Sequence, residues 1–192
     1  MAHLDLPDDV TKIEVADVVV AEALVPHAGN PLLRALGAAS DLSDQEPIYA
    51  GGAAVIAVGI VMRDLKTVHG GSRILAAHLL ATAMRGIVKN LIDRPRPKVA
   101  ADEGYELKAG ERRDSDYSSF PSGHTAGAVA VMMAARRVWP GSRHSGTALA
   151  SAAAVAQVLR SKHYLTDVVV GAAIGFAAEA AINALVRRAE SV

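Results

Sequence analysis

Five long apolar segments limit what this chain can become: residues 47–62, 72–92, 123–139, 146–159 and 165–186. Hydrophobic residues make up 51% of the chain and aromatics only 4%, so Ala, Val, Leu and Ile supply most of the apolar surface. That balance favours close-packed helices. Small residues fit the same picture, with Gly51, Gly52 and Gly59 in the first segment and Gly171 and Gly175 as a Gly-x-x-x-Gly in the fifth. A membrane-spanning helix needs about 20 mainly apolar residues, which the second and fifth segments have and the others barely reach. The predicted fold is therefore all-α: a membrane-embedded helical bundle of about five long helices over residues 47–188, in a single domain spanning 1–192.

One or two short amphipathic helices are predicted to precede the bundle, within residues 1–46. Val10, Ile13, Val18 and Ala21 alternate with Lys12, Glu14, Asp17 and Glu22, which suits a helix over 9–24 lying on a membrane surface or a core. It is too polar to span. Pro31 suits the first turn of a second helix, over 31–39, and the acidic stretch 41–46 closes the region. The first nine residues lack the basic and apolar regions of a cleaved signal peptide, so any export is expected to use an internal helix.

Charge sets the orientation. Arg63, Lys66 and Arg73 flank one turn, Arg136, Arg137 and Arg143 another, and Arg187 with Arg188 the end; these three ends are predicted to be cytoplasmic. The chemically interesting loops then share the opposite side of what is expected to be a bacterial inner membrane. Twenty basic residues balance twenty acidic ones, which argues against nucleic acid as a partner. With no cysteine, disulfides and thiolate metal sites are excluded.

Three polar clusters fall at the ends of helices on that opposite side. Lys89 is followed, six residues on, by Arg96-Pro97, two cationic arms able to grip phosphate oxygens. Ser122 can cap the helix that Gly123 and His124 open, where free N–H groups and the positive dipole end favour an anion. His163 and Asp167 lie four apart on one helix face, so the carboxylate can hold one ring nitrogen protonated and leave the other as a nucleophile. Each cluster alone also has a plain reading: solvated interfacial charges, a simple Ser cap, a helix-capping Asp.

Taken together, Lys89 to Pro97, Pro121-Ser122-Gly123-His124, and His163 with Asp167 resemble the phosphatidic acid phosphatase type 2 superfamily. That family also includes bacterial acid phosphatases and vanadium haloperoxidases. The resemblance implies that Lys89, Arg96, Ser122 and Gly123 hold a phosphate and that His163 attacks phosphorus. It further implies that Asp167 orients His163, and that His124 protonates the leaving oxygen and then activates water, with no metal or other cofactor. It points to a lipid phosphate as substrate, such as polyprenyl pyrophosphate, phosphatidic acid or phosphatidylglycerophosphate. One departure stands out: the family's Ser-Arg pair falls at Ala156-Gln157, and Arg160 is the nearest substitute for the missing arginine. A soluble acid phosphatase, a vanadate-dependent haloperoxidase and a catalytically silent lipid-phosphate binder are the rival readings.

Two ionisable residues stand inside the apolar helices. His78 lies about 16 Å below Lys89, and Glu179 about 18 Å below Asp167. Their similar depth predicts a His78–Glu179 contact, with Arg136 as the competing partner of Glu179 and Arg85 kept near the phosphate pocket.

Overall fold

The computed structural model describes residues 10–40, 45–110 and 114–191. The chain start read for a signal peptide and most of the acidic 41–46 stretch lie outside them. Eight α-helices are present among the described residues: α1 (Lys12–Leu24), α2 (Pro31–Ser40), α3 (Gln45–Val61), α4 (Leu65–Lys89), α5 (Pro97–Glu103), α6 (Gly123–Val138), α7 (Arg143–Leu159) and α8 (Leu165–Glu190). The five long helices of the bundle match the apolar segments, with one substantial difference. Helix α4 starts seven residues before its apolar stretch, because Asp64 caps it: its carboxylate accepts from the Lys66 N–H at 3.0 Å and the Thr67 hydroxyl at 2.6 Å.

Helix α4 is central, packing on α3, α6 and α8. The core where they meet is largely alanine: Ala77 and Ala81 of α4, Ala126, Ala130 and Ala134 of α6, and Ala178 of α8, joined by Ile74 and Ile174. Side chains this small let helices approach closely. The extreme case is α6 against α8, where a Cβ on Gly171 would lie 2.5 Å from the Ser122 carbonyl oxygen, and one on Gly175 2.5 Å from that of Ala126. The Ser122 N–H also donates to the Asp167 carbonyl at 3.0 Å. The two helix starts that carry His124 and Asp167 are thus locked backbone to backbone.

The turn between α7 and α8 is a Schellman motif. The Lys162 N–H bonds back to the Gln157 carbonyl at 3.1 Å and the Ser161 N–H to that of Val158 at 2.9 Å, with Ser161 left-handed at φ 52°. Glycine normally fills that position. Ser161 is buried and its hydroxyl has no hydrogen-bond partner.

Loop 90–122 carries structure that hydropathy does not announce. Besides α5 it forms a two-residue antiparallel pair, β1 (Ile92–Asp93) with β2 (Lys108–Ala109). Residues 94–96 then knit onto 116–119: the Arg94 N–H bonds to Tyr117 O at 2.9 Å, Arg96 N–H to Asp116 O at 2.8 Å, and Ser119 N–H to Arg94 O at 3.1 Å. Helix α1, opened by a Thr11–Glu14 capping box, packs Val18 and Ala21 against Tyr105 of this loop and Tyr164.

The expected partners of Glu179 are corrected. Its fully buried carboxylate accepts from Arg73 at 3.0 Å and from Arg137 at 3.3 and 3.5 Å, and bonds neither to His78 nor to Arg136. Arg137 is one residue past Arg136, about 100° around α6, and it is this face that turns towards α8. His78 instead meets the Tyr49 ring edge-on, with centroids 5.3 Å apart. Arg73 is therefore an internal partner of this carboxylate, while Arg137 reaches it with a side chain that stays 43% exposed.

Two substitutions test these contacts by thermal unfolding in detergent. Gly171→Ala is expected to cost about 1–3 kcal/mol, as overpacking does, because backbone cannot yield as a side-chain tip can; an unchanged melting temperature would contradict the close approach. Ser161→Gly is expected to stabilise by about 0.5–1 kcal/mol, since relief of the left-handed strain exceeds the added freedom of the unfolded chain. A lower melting temperature would contradict that reading.

Candidate active site

At the end of the bundle where α4 and α7 stop and α6 and α8 begin, a cavity of about 190 Å³ opens. Its lining includes Arg85, Arg96, Gly123, His124, Lys162 and His163, with Gln45, His78 and Thr82 on the remaining wall. Among the described residues, three cations and no carboxylate face one small space. That lining suits an anion.

The tautomer of His163 follows from its neighbours. Its Nδ1 lies 2.7 Å from the Ser119 carbonyl oxygen, which can only accept, so in the neutral ring Nδ1 carries the proton and Nε2 the lone pair. Asp167 was expected to hold this proton; it stands farther off, at 3.5 Å from Nδ1. The difference arises because the Asp167 carboxylate is already engaged by the Ser119 hydroxyl, by the Tyr164 N–H at 2.9 Å and by Arg94 Nη1 at 2.6 Å. Asp167 acts on the ring through space and through Ser119, whose hydroxyl it binds while the same residue's carbonyl binds His163.

Arg94 holds this arrangement together, and sequence reasoning passed over it as spacer between Lys89 and Arg96. It is 2% exposed. Besides Asp167 it donates to Asp17 of α1 at 2.9 Å, to the Thr166 hydroxyl at 2.8 Å and to the Tyr105 hydroxyl at 3.1 Å, and its guanidinium stacks 4.0 Å from the Tyr164 ring centroid. Burial opposes the charge, but Asp167, Tyr105 and Asp17 outweigh it and raise its pKa further. Burial pushes the Tyr105 hydroxyl up to about 12, and it donates in turn to Glu14. The signal available in the sequence was the doubled Arg-Pro of Arg94-Pro95-Arg96-Pro97, of which only the second was read. Asp17 gave none, since an acidic residue on an amphipathic helix reads as solvated.

Among the predicted site residues, His163, His124, Gly123 and Arg96 meet at the cavity. Arg96 is anchored through Nε to the Ser115 carbonyl at 3.0 Å. Ser122 is fully buried as the cap of α6, its hydroxyl bonded to Thr125. Lys89 stands one turn beyond Arg85 at the end of α4, outside the cavity lining. Arg160 caps α7 and is not in the lining either, and Gln157 is buried with its backbone carbonyl closing the Schellman turn. Arg85 stands in the lining, as its depth on the helix predicts, and Lys162 is a cavity cation to which no motif pointed.

Removing the hub is expected to be costly. Arg94→Ala leaves two buried carboxylates without their shared partner, a loss of about 3–5 kcal/mol, whereas Asp17→Asn keeps the shape and is expected to cost about 1–3 kcal/mol. Chemical unfolding of the two variants checks the order; an Asp17 effect as large as that of Arg94 would contradict it.

The sequence model of the PAP2 superfamily matches residues 70–191. No curated protein sequence matches the chain in direct comparison. Among solved structures, the fold is similar to that of a transmembrane PAP2-type phosphatidylglycerolphosphate phosphatase from Bacillus subtilis, at TM-score 0.71 and 18% identity over 94% of this chain and 89% of that one. It is also similar to Aquifex aeolicus LpxE, at TM-score 0.63 and 15% identity over 92% and 98% of the two chains. The matched span contains the whole cavity except Gln45, and with it every motif that first suggested the relationship: this chain belongs to the PAP2 superfamily.

Proposed function

We propose that this protein is a lipid-phosphate phosphatase that works through a phosphohistidine at His163. The observation that carries the reading is the His163 ring, its Nδ1 bonded to a carbonyl and its Nε2 left with a lone pair beside a cation-lined cavity. In the first step Nε2 bonds to phosphorus as the bond to the leaving oxygen breaks, and that oxygen takes a proton from His124. In the second, His124 takes a proton from water, whose oxygen displaces the histidine and releases phosphate. The cavity cations offset charge on the phosphoryl oxygens. Two buried carboxylates, Asp17 and Asp167, face one guanidinium, Arg94, leaving net negative charge beside His163 to stabilise the ring when phosphorylation makes it positive.

A lipid substrate is supported by a second cavity. It measures about 410 Å³ and is lined by apolar groups including Ile48, Val131, Met132 and Leu149. Gln45 of α3 borders the polar cavity and Ile48, one turn on, borders the apolar one; His124 and Ala128 do the same on α6. A headgroup at His163 and an alkyl chain between α3 and α7 fit that continuity. The Bacillus subtilis relative acts on phosphatidylglycerolphosphate, which makes a glycerophospholipid monophosphate the first substrate to try.

Membrane embedding, with the site on the non-cytoplasmic face, is part of the same proposal. Helix α8 is long and apolar enough to cross a bilayer, and only 28% of its most apolar stretch is buried inside the protein. Val169, Phe176 and Leu185 of α8, like Leu79 of α4 and Ile60 of α3, are exposed, which suits contact with lipid. Arg63, Lys66, Arg136, Arg137, Arg143, Arg187 and Arg188 remain as the cytoplasmic charges after Arg73, paired inside the bundle, is taken out.

Phosphate release by the purified protein from phosphatidic acid, phosphatidylglycerophosphate and polyprenyl pyrophosphate tests the activity. His163→Ala is expected to abolish turnover and the acid-labile phosphoenzyme together. His124→Ala is expected to slow poor leaving groups by about 10²–10⁴-fold and good ones far less. Residual turnover of His163→Ala near the normal rate would sink the mechanism.

A further inference from the structure

Where the resemblance leads one to expect a phosphate-binding arginine, this chain has Gln157, and the sequence offers Arg160 as its replacement. Neither lines the cavity. Arg85 does, and its surroundings show what it is placed to do. Its Nε donates to the Pro121 carbonyl at 3.2 Å. A Cβ on Gly123 would come within 3.4 Å of Nε and 3.5 Å of the guanidinium carbon, so the planar group lies against the first residue of α6, at the positive end of the helix dipole.

Arg85 makes no ion pair with any carboxylate among the described residues, and Arg96 stands close enough to repel it. The contrast with the other arginines held among the helices is sharp: Arg94, Arg73 and Arg137 each have a carboxylate. A half-buried guanidinium without a counter-ion is costly unless an anion joins it. Arg96 has the same arrangement, anchored through Nε to the Ser115 carbonyl and without a carboxylate among the described residues. Two arginines fixed at Nε leave their terminal nitrogens for a tetrahedral oxyanion, each able to bind two oxygens.

We infer that Arg85 is the arginine of the phosphate site in this chain, clamping the phosphoryl group opposite Arg96 and supplying the charge that Gln157 lacks. The inference rests on the proposed phosphatase reading for its substrate, but its chemistry is that of an inorganic or esterified phosphate alike. It also accounts for a line of polar groups on α4: His78, Thr82 and Arg85 all face the cavity, at spacings of four and three residues.

Calorimetric binding of inorganic phosphate to the purified full-length protein tests this without turnover. Arg85→Gln is expected to weaken phosphate binding about 10- to 100-fold, the scale of one charge-assisted contact, and by at least several-fold more than Arg160→Gln. Arg85→Lys keeps the charge and loses the Nε anchor, so an intermediate loss is expected, with a melting temperature near that of the unaltered protein. Phosphate binding by Arg85→Gln or Arg85→Lys within twofold of the unaltered protein overturns the assignment, as does a larger loss in Arg160→Gln. Lipid-phosphate turnover is read separately: an unaltered protein that binds phosphate through Arg85 yet hydrolyses no lipid phosphate sinks the phosphatase reading and leaves the assignment standing.

Discussion

A single buried guanidinium fixes the geometry on which the cavity end of the bundle depends. Arg94 would be intolerable at 2% exposure by itself, and the fold answers with carboxylates from both ends of the chain, Asp17 and Asp167, and two tyrosine rings. Because the backbone of Arg94 also pairs with Tyr117 and Ser119, the same residue sets where the Ser119 carbonyl stands, and that carbonyl selects the His163 tautomer. The orientation of the His163 ring is thus decided by a residue that does not line the cavity.

Beneath this network the bundle works by close approach. Alanine and glycine contacts bring α4, α6 and α8 near enough for the backbone of α6 to touch that of α8, so His124 and His163 are positioned by main chain rather than by long side chains. The charges divide accordingly. Those around Glu179 and around Arg94 meet partners of opposite charge, while Arg85 and Arg96 at the cavity have no carboxylate partner among the described residues. A protein that satisfies its buried charges elsewhere and leaves these open has a place prepared for an anion.

Much of this was legible in the residues. The five long helices follow from apolar runs, and His124, His163, Arg96 and Gly123 follow from motif spacing, because helix ends and short motifs are local properties. Other features are set by contacts between distant segments. Asp17 and Arg94 pair across 77 positions, and no periodicity links them. The strand pair and α5 are too short for hydropathy to register. For Glu179, depth arithmetic placed the partner at about the right level, but the choice between Arg136 and Arg137 turns on helix rotation, which side-chain counting along an axis does not give. Arg160 was the nearest arginine along the chain; Arg85 is the one that the fold brings to the cavity.

The position of α1 bears on what counts as the minimal unit of this fold. The superfamily match begins at residue 70, yet Asp17 lies far upstream and its carboxylate reaches the Thr166 N–H and Arg94 at the cavity end. A chimera joined at the start of the matched region would inherit all three motifs and leave Arg94 facing a single carboxylate. Module boundaries drawn from motif content alone would therefore cut through the electrostatics of the site, and grafts between relatives should carry the first helix along with the bundle.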